Sequence, residues 1–168
     1  MLLTIGRRPY EPDLVDLLSE CHDRIRNFLD LAHRVATTPG LTPEDIRTAA
    51  GQVRRYFTQA FPLHMADEEQ SIVPRLRGRD DALDTALAQM ETDHEEHADL
   101  VERLVALCDR VTQDPRQLAA LDETACQLSL ALEAHLGLEE LVVYPEIDEL
   151  SAIEIAAVRA EMRARRGG

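Results

Sequence analysis

Five of the histidines stand where helical spacing calls for an apolar side chain. His22 lies between Leu18 and Ile25, His64 follows Phe57 and Ala60, and His135 follows Leu128 and Leu132. His94 and His97 replace two consecutive positions of a third apolar seam. Two of these histidines carry a carboxylate one turn later, His64 with Glu68 and His135 with Glu139, and residues at i and i+4 project from one helix face. The surrounding segments PLHMADEEQSIVPRL and EAHLGLEELVVYPEI share the His, the Glu-Glu pair and a Pro ten residues after the His. They read as a local repeat of one site-building element.

Burying carboxylates and imidazoles together is prohibitive unless they pair or bind a metal. Neutral imidazole with carboxylate suits iron, zinc or copper, and the charge of the ion keeps the acids deprotonated. His22, His64, His94, His97, His135, Glu68 and Glu139 are too many for one ion of four to six ligands but fit two octahedral ions bridged by carboxylates. A dinuclear site is therefore expected. The ferritin-like di-iron motif Glu-x-x-His has the opposite order and a spacing of three, so it does not match. HEEH at 94 to 97 is one residue short of the zinc-protease HExxH.

Helices must carry these side chains. Leu14, Leu17, Leu18, Cys21, Ile25, Phe28, Leu29 and Ala32 predict a helix over 13–36, stopped by Pro39 and Gly40. Thr42, Pro43, Glu44 and Asp45 read as an N-cap, a proline in the first turn and two acids complementing the helix dipole. The second helix meets Pro62, where a kink or interruption is expected, and ends near Pro74. Leu83, Leu87, Met90, His94, His97, Val101, Leu104, Cys108 and Val111 alternate steps of four and three, the narrow seam of a third helix. Asp114 and Pro115 open a fourth, with Leu121, Ala125, Leu128, Leu132 and His135 on its face. Ser151 and Glu154 form a capping-box pattern ahead of a short basic helix. The expected fold is all-α: an antiparallel up-down four-helix bundle over 13–150, with an N-terminal segment 1–12 and a C-terminal helix and tail 151–168.

Composition excludes other classes. The 168 residues are 45% hydrophobic but only 4% aromatic, which favours one helical domain over a β-sandwich. A formal net charge of −14 repels phosphate backbones, so no nucleic-acid partner is expected. No segment approaches the roughly 20 apolar residues of a membrane span, and Gly6 to Pro9 cut short the apolar start Met1 to Ile5 before an export signal forms. Cys21, Cys108 and Cys126, three and widely separated, suit reduced thiols and a cytoplasmic location.

The motifs together resemble the hemerythrin-like, or HHE cation-binding, family. The resemblance rests on a first-helix His, a second-helix HxxxEE followed by Pro, a third-helix His preceded by an acid, and a fourth-helix HxxxEE with Pro. It covers roughly residues 13–150. It implies a non-haem centre of two iron ions, oxo- or hydroxo-bridged, with His22, His64, His94 and His135 as terminal ligands and Glu68 and Glu139 as bridges. Oxygen-carrying members have HxxxH on the third helix; the chain has HxxH instead, so His97 stands as the candidate fifth imidazole. The implied role is binding of dioxygen for storage, transport or sensing. Turnover of hydrogen peroxide or nitric oxide, and an iron-responsive regulatory module, remain the alternatives.

Other polar residues have plainer readings. His33 is eleven residues beyond His22, about 16 Å along the helix, and belongs to the surface or the bundle end. Asp67, Glu69, Glu95, Glu96 and Glu140 read as solvated charges, with a bond to a ligand histidine as the minority alternative. Cys21 and Tyr144 read as core, and the C-terminal arginines as a solvated helix end.

Overall fold

The computed structural model describes residues 12–167; residues 1–11 and Gly168 lie outside the described residues, and with them the expectation for Met1 to Ile5. Helix α1 runs Leu14–Thr37, opened by a capping box in which Asp13 and Asp16 satisfy each other's backbone N–H groups. It gives way to a turn in which Gly40 takes φ +80°, the left-handed region that favours glycine.

Helix α2 opens at Pro43 with the Thr42–Asp45 capping box and stays helical to Leu76. Neither proline breaks it. The rod passes each through a wider turn, Tyr56–Ala60 ahead of Pro62 and Glu68–Ile72 ahead of Pro74. In these turns Phe61 donates to the Tyr56 carbonyl and Val73 to that of Glu68, five residues back. Proline lacks an N–H and clashes with the carbonyl four residues before it, so opening the ladder by one residue lets the helix continue; of the kink or interruption expected at Pro62, the interruption does not occur. Helix α3 spans Asp81–Val111, with Asp80 accepting from Ala82 and Leu83 at its start. Helix α4 opens with the short 3₁₀ turn Pro115–Gln117, runs Leu118–Leu138, widens over Glu139–Val143 and closes with Tyr144–Asp148. Pro145 follows that widened turn at the same offset, so the sequence repeat is also a structural one. Helix α5, Ala152–Arg165, starts at the Ser151–Glu154 capping box. There is no strand among the described residues.

Two apolar clusters show how the helices run. In one, Leu29 and Val35 from the later part of α1 pack with Ile46, Val111 and Leu121, from the start of α2, the end of α3 and the start of α4. In the other, Leu14 and Leu18 from the start of α1 meet Ile72, Leu83, Leu87 and Ile147, and α5 adds Val158 and Met162. Early parts of each helix thus meet late parts of its neighbours, as antiparallel packing requires. Between the clusters lies a polar slab of buried His22, His64, Glu68, His94, His135 and Glu139. Well-packed apolar side chains at all six positions together would leave stability unchanged or raise it by about 1–4 kcal/mol. A bundle built for stability alone would not place acids and imidazoles there.

Candidate metal centre

The six polar side chains form two groups that share both carboxylates. His22, His64, Glu68 and Glu139 bring their ligand atoms within 4.8 Å of one another, and so do Glu68, His94, His135 and Glu139. The two oxygens of each glutamate divide between the groups. Glu68 Oε1 lies 3.1 Å from His64 Nε2, while Oε2 lies 3.5 Å from His94 Nε2. Glu139 Oε2 lies 3.0 Å from His22 Nε2, and Oε1 lies 3.0 Å from His135 Nε2. His94 Nε2 and His135 Nε2 are 3.1 Å apart.

Despite these distances, none of the four carboxylate oxygens makes a hydrogen bond, although all four are buried. Orphaned buried acceptors are costly and call for an explanation. A cation supplies it. Two donors each about 2.1 Å from one ion and at right angles lie about 3.0 Å apart, the spacing observed. The donor set therefore fits metal.

The wider turns set this geometry. Glu68 and Glu139 are the first residues of the widened turns of α2 and α4, each one turn beyond its histidine. The second acid of each Glu-Glu pair reaches across to the neighbouring helix. Glu69 Oε1 is 2.7 Å from His94 Nδ1, and Glu140 Oε1 is 2.8 Å from His22 Nδ1 and 3.0 Å from Arg26. Asp93 holds His135 Nδ1 at 3.2 Å. Acids on the far ring nitrogen fix tautomer and ring orientation and leave Nε2 for the metal side. Solvation was the expectation for Glu69 and Glu140; the cross-helix histidines hold them instead. His64 Nδ1, by contrast, makes no hydrogen bond.

Asp67 is also not solvated. It is fully buried, with its oxygens 2.8 Å from Arg165 and 2.6 Å from Arg166. The arginine tail is thus an ion-pairing element, because α5 folds back over the turn that carries Glu68. Arg165 also donates to Ser71 Oγ at 2.7 Å, and Arg75 joins α2 to Glu161 on α5.

Tyr144, expected as core, is buried with its hydroxyl 2.7 Å from His22 Nε2. Only its place after the fourth-helix Glu-Glu pair hinted at this. His97 belongs to neither four-residue group; it is half-buried, its ring edge-on to His135 with centroids 5.7 Å apart. It lines a groove of about 390 Å³ between α2 and α3 with Phe57, Phe61, Met65, His94 and Val101, an approach from solvent to the centre. Cys21 lines a different groove, against Met162 and Arg166, and burial pushes its thiol up.

Without bound metal, the raised imidazoles would carry the balancing positive charge as protons. Burial pulls His22 down, but Glu139, Glu68 and Glu140 more than offset it and raise it from 6.5 to about 10. His94 is likewise opposed by burial and raised by Glu68 and Glu69, to about 9. Burial dominates at His64, which is held below 6.5. The raised groups stabilise fully below 6.5 and lose that contribution as pH climbs through about 9 and 10. His64 works in the opposite direction, its contribution falling away as pH drops under 6.5. Thermal melts in chelator should therefore peak near pH 6.5 and decline toward pH 10, while the metal-loaded chain, whose cations replace those protons, should show no alkaline decline. Parallel profiles for the two forms would contradict this.

A helical bundle with four buried imidazoles around two shared carboxylates defines a protein built to bind cations. The family model of the Hemerythrin HHE cation binding domain matches residues 13–147, and the chain belongs to that family. Among curated proteins no significant match is found.

Proposed function

We propose that the chain is a non-haem di-iron protein that binds dioxygen, with one ion held by His22 and His64, the other by His94 and His135, and Glu68 and Glu139 bridging them. The observation that carries this is the division of each glutamate's two oxygens between the two groups. Two ferrous ions there would supply two electrons and open coordination positions for a diatomic ligand. Four imidazoles and two bridging carboxylates fill about eight of the roughly twelve positions of two octahedral ions, leaving room for such a ligand whether or not His97 joins the set.

The chain's own residues orient the site and confine its approach to the side groove lined by His94 and His97. The two apolar clusters close it along the bundle axis. Glu69, Glu140 and Asp93 hold three of the imidazoles by their far nitrogens. No helix among the described residues is long and apolar enough to cross a membrane. A reducing, cytoplasmic setting fits this reading, since the three cysteines are free thiols.

Tyr144 supports a second reading, turnover of hydrogen peroxide or nitric oxide, because its hydroxyl sits 2.7 Å from His22 Nε2 and can donate a hydrogen bond to a ligand at the centre. Admitting and then removing oxygen over the iron-loaded, anaerobic protein tests both. An absorption band that appears with oxygen and vanishes on its removal supports binding. Irreversible oxidation, with peroxide or nitric oxide turnover lowered about 10²-fold or more in Tyr144→Phe at unchanged iron content, supports the enzyme. Oxidation without turnover of either substrate would refute both.

A further inference from the structure

A second set of metal-ligating side chains lies away from the centre. On α4, Asp122 and Cys126 stand one turn apart and so share a face. That face looks onto α1 at His33. His33 Nδ1 is 2.6 Å from Asp122 Oδ1, and Cys126 Sγ is 3.9 Å from that nitrogen and 3.8 Å from that oxygen. The three donors lie within 4.8 Å of one another. His33 is about 16 Å along α1 from His22, too far to share its ion.

We propose that His33, Asp122 and Cys126 form a second, surface metal site for one thiophilic divalent cation of the zinc class, with a fourth position left to water or an exogenous ligand. The distances carry the argument. Tetrahedral zinc with a sulfur at about 2.3 Å and nitrogen and oxygen at about 2.0 Å sets its sulfur about 3.5 Å from the other donors, and nitrogen about 3.3 Å from oxygen. Both observed sulfur separations come within about 0.4 Å of this. Only the His33–Asp122 hydrogen bond must open, by roughly 0.7 Å, as it is exchanged for two coordinate bonds. Both side chains can make that adjustment, since His33 is 48% and Asp122 32% exposed.

The site opens on a concavity of about 470 Å³ that His33 and Cys126 help to line. Two other acids line it, Asp30 and Glu133, but they pair with Arg34 and Arg26. Three protein ligands and an accessible fourth position match an open zinc site rather than a closed structural one. The thiolate also separates it chemically from the imidazole and carboxylate centre and selects against magnesium and calcium. On binding, the Cys126 S–H loses its proton to solvent as sulfur bonds to the cation, and no electrons are exchanged.

Cobalt(II) is the probe, because cobalt bound to a thiolate gives a near-ultraviolet charge-transfer band that the imidazole and carboxylate centre cannot give. Anaerobic cobalt titration of the full chain, its buried centre first loaded with iron and the excess iron removed, should produce this band, saturating at one added equivalent, and zinc should abolish it. Cys126→Ser should remove the band, whereas Cys21→Ser and Cys108→Ser should retain it. His33→Gln and Asp122→Asn should each weaken cobalt binding at this site tenfold or more, with unchanged helical circular dichroism. Absence of the band at micromolar cobalt, or its survival in Cys126→Ser, would overturn the assignment and leave His33–Asp122 as a surface hydrogen-bonded pair.

Discussion

Glu68→Ala should strip the chain of both metal ions, whereas His64→Ala should strip it of only one. The contrast follows from the two glutamate oxygens. Oε1 faces His64 and Oε2 faces His94, so losing the carboxylate removes a ligand and a negative charge from both groups at once. His64 contributes to one group alone. Metal content should fall from about two ions per chain to well under one in Glu68→Ala, and to about one in His64→Ala. Glu139→Ala should behave like Glu68→Ala, since its oxygens divide between His22 and His135. Elemental analysis of anaerobically loaded variants checks this. Equal occupancy in Glu68→Ala and His64→Ala would remove the bridging role.

Replacing Arg165 and Arg166 together by alanine should be among the most destabilising changes outside the centre. Asp67 is 0% exposed, and the two guanidinium groups cover its two oxygens. Removing one partner of a buried ion pair costs about 3–5 kcal/mol because the other charge is left uncompensated. Both arginines keep some solvent contact, which places the expected loss at the lower end, about 3 kcal/mol, or roughly 6–12 °C in Tm for a chain of this size. Asp67→Asn added to the double variant should recover part of it, because a neutral amide is cheaper to bury than a lone carboxylate. Metal affinity should also drop, since Asp67 and Ser71 flank and belong to the turn that carries Glu68. An unchanged melting temperature would show that α5 does not brace the bundle.

The residues explain what could be read in the sequence and what could not. Helical period alone puts His22, His64, His94 and His135 on inward faces and aligns each HxxxE pair, because these relations lie within a single helix. The caps at Thr42 and Ser151 are equally local, and both form as their sequences suggest. Pro62 was harder to read: a proline signals a break, yet a helix can instead widen by one residue. Contacts between helices carry no local signal. The Glu69–His94, Glu140–His22 and Asp67–Arg165 pairs join residues 25, 118 and 98 positions apart, so solvation was the natural expectation for each acid. Tyr144 and His97 depend on the same missing information. Their positions on the helix were clear, but not which neighbouring helix each would face.

Whether two ions share Glu68 and Glu139 is decided by the metal content per chain after anaerobic iron loading, chelator wash and desalting. Two tightly held irons per chain are expected. One iron or none, in protein whose circular dichroism shows a folded helical bundle, would contradict that sharing.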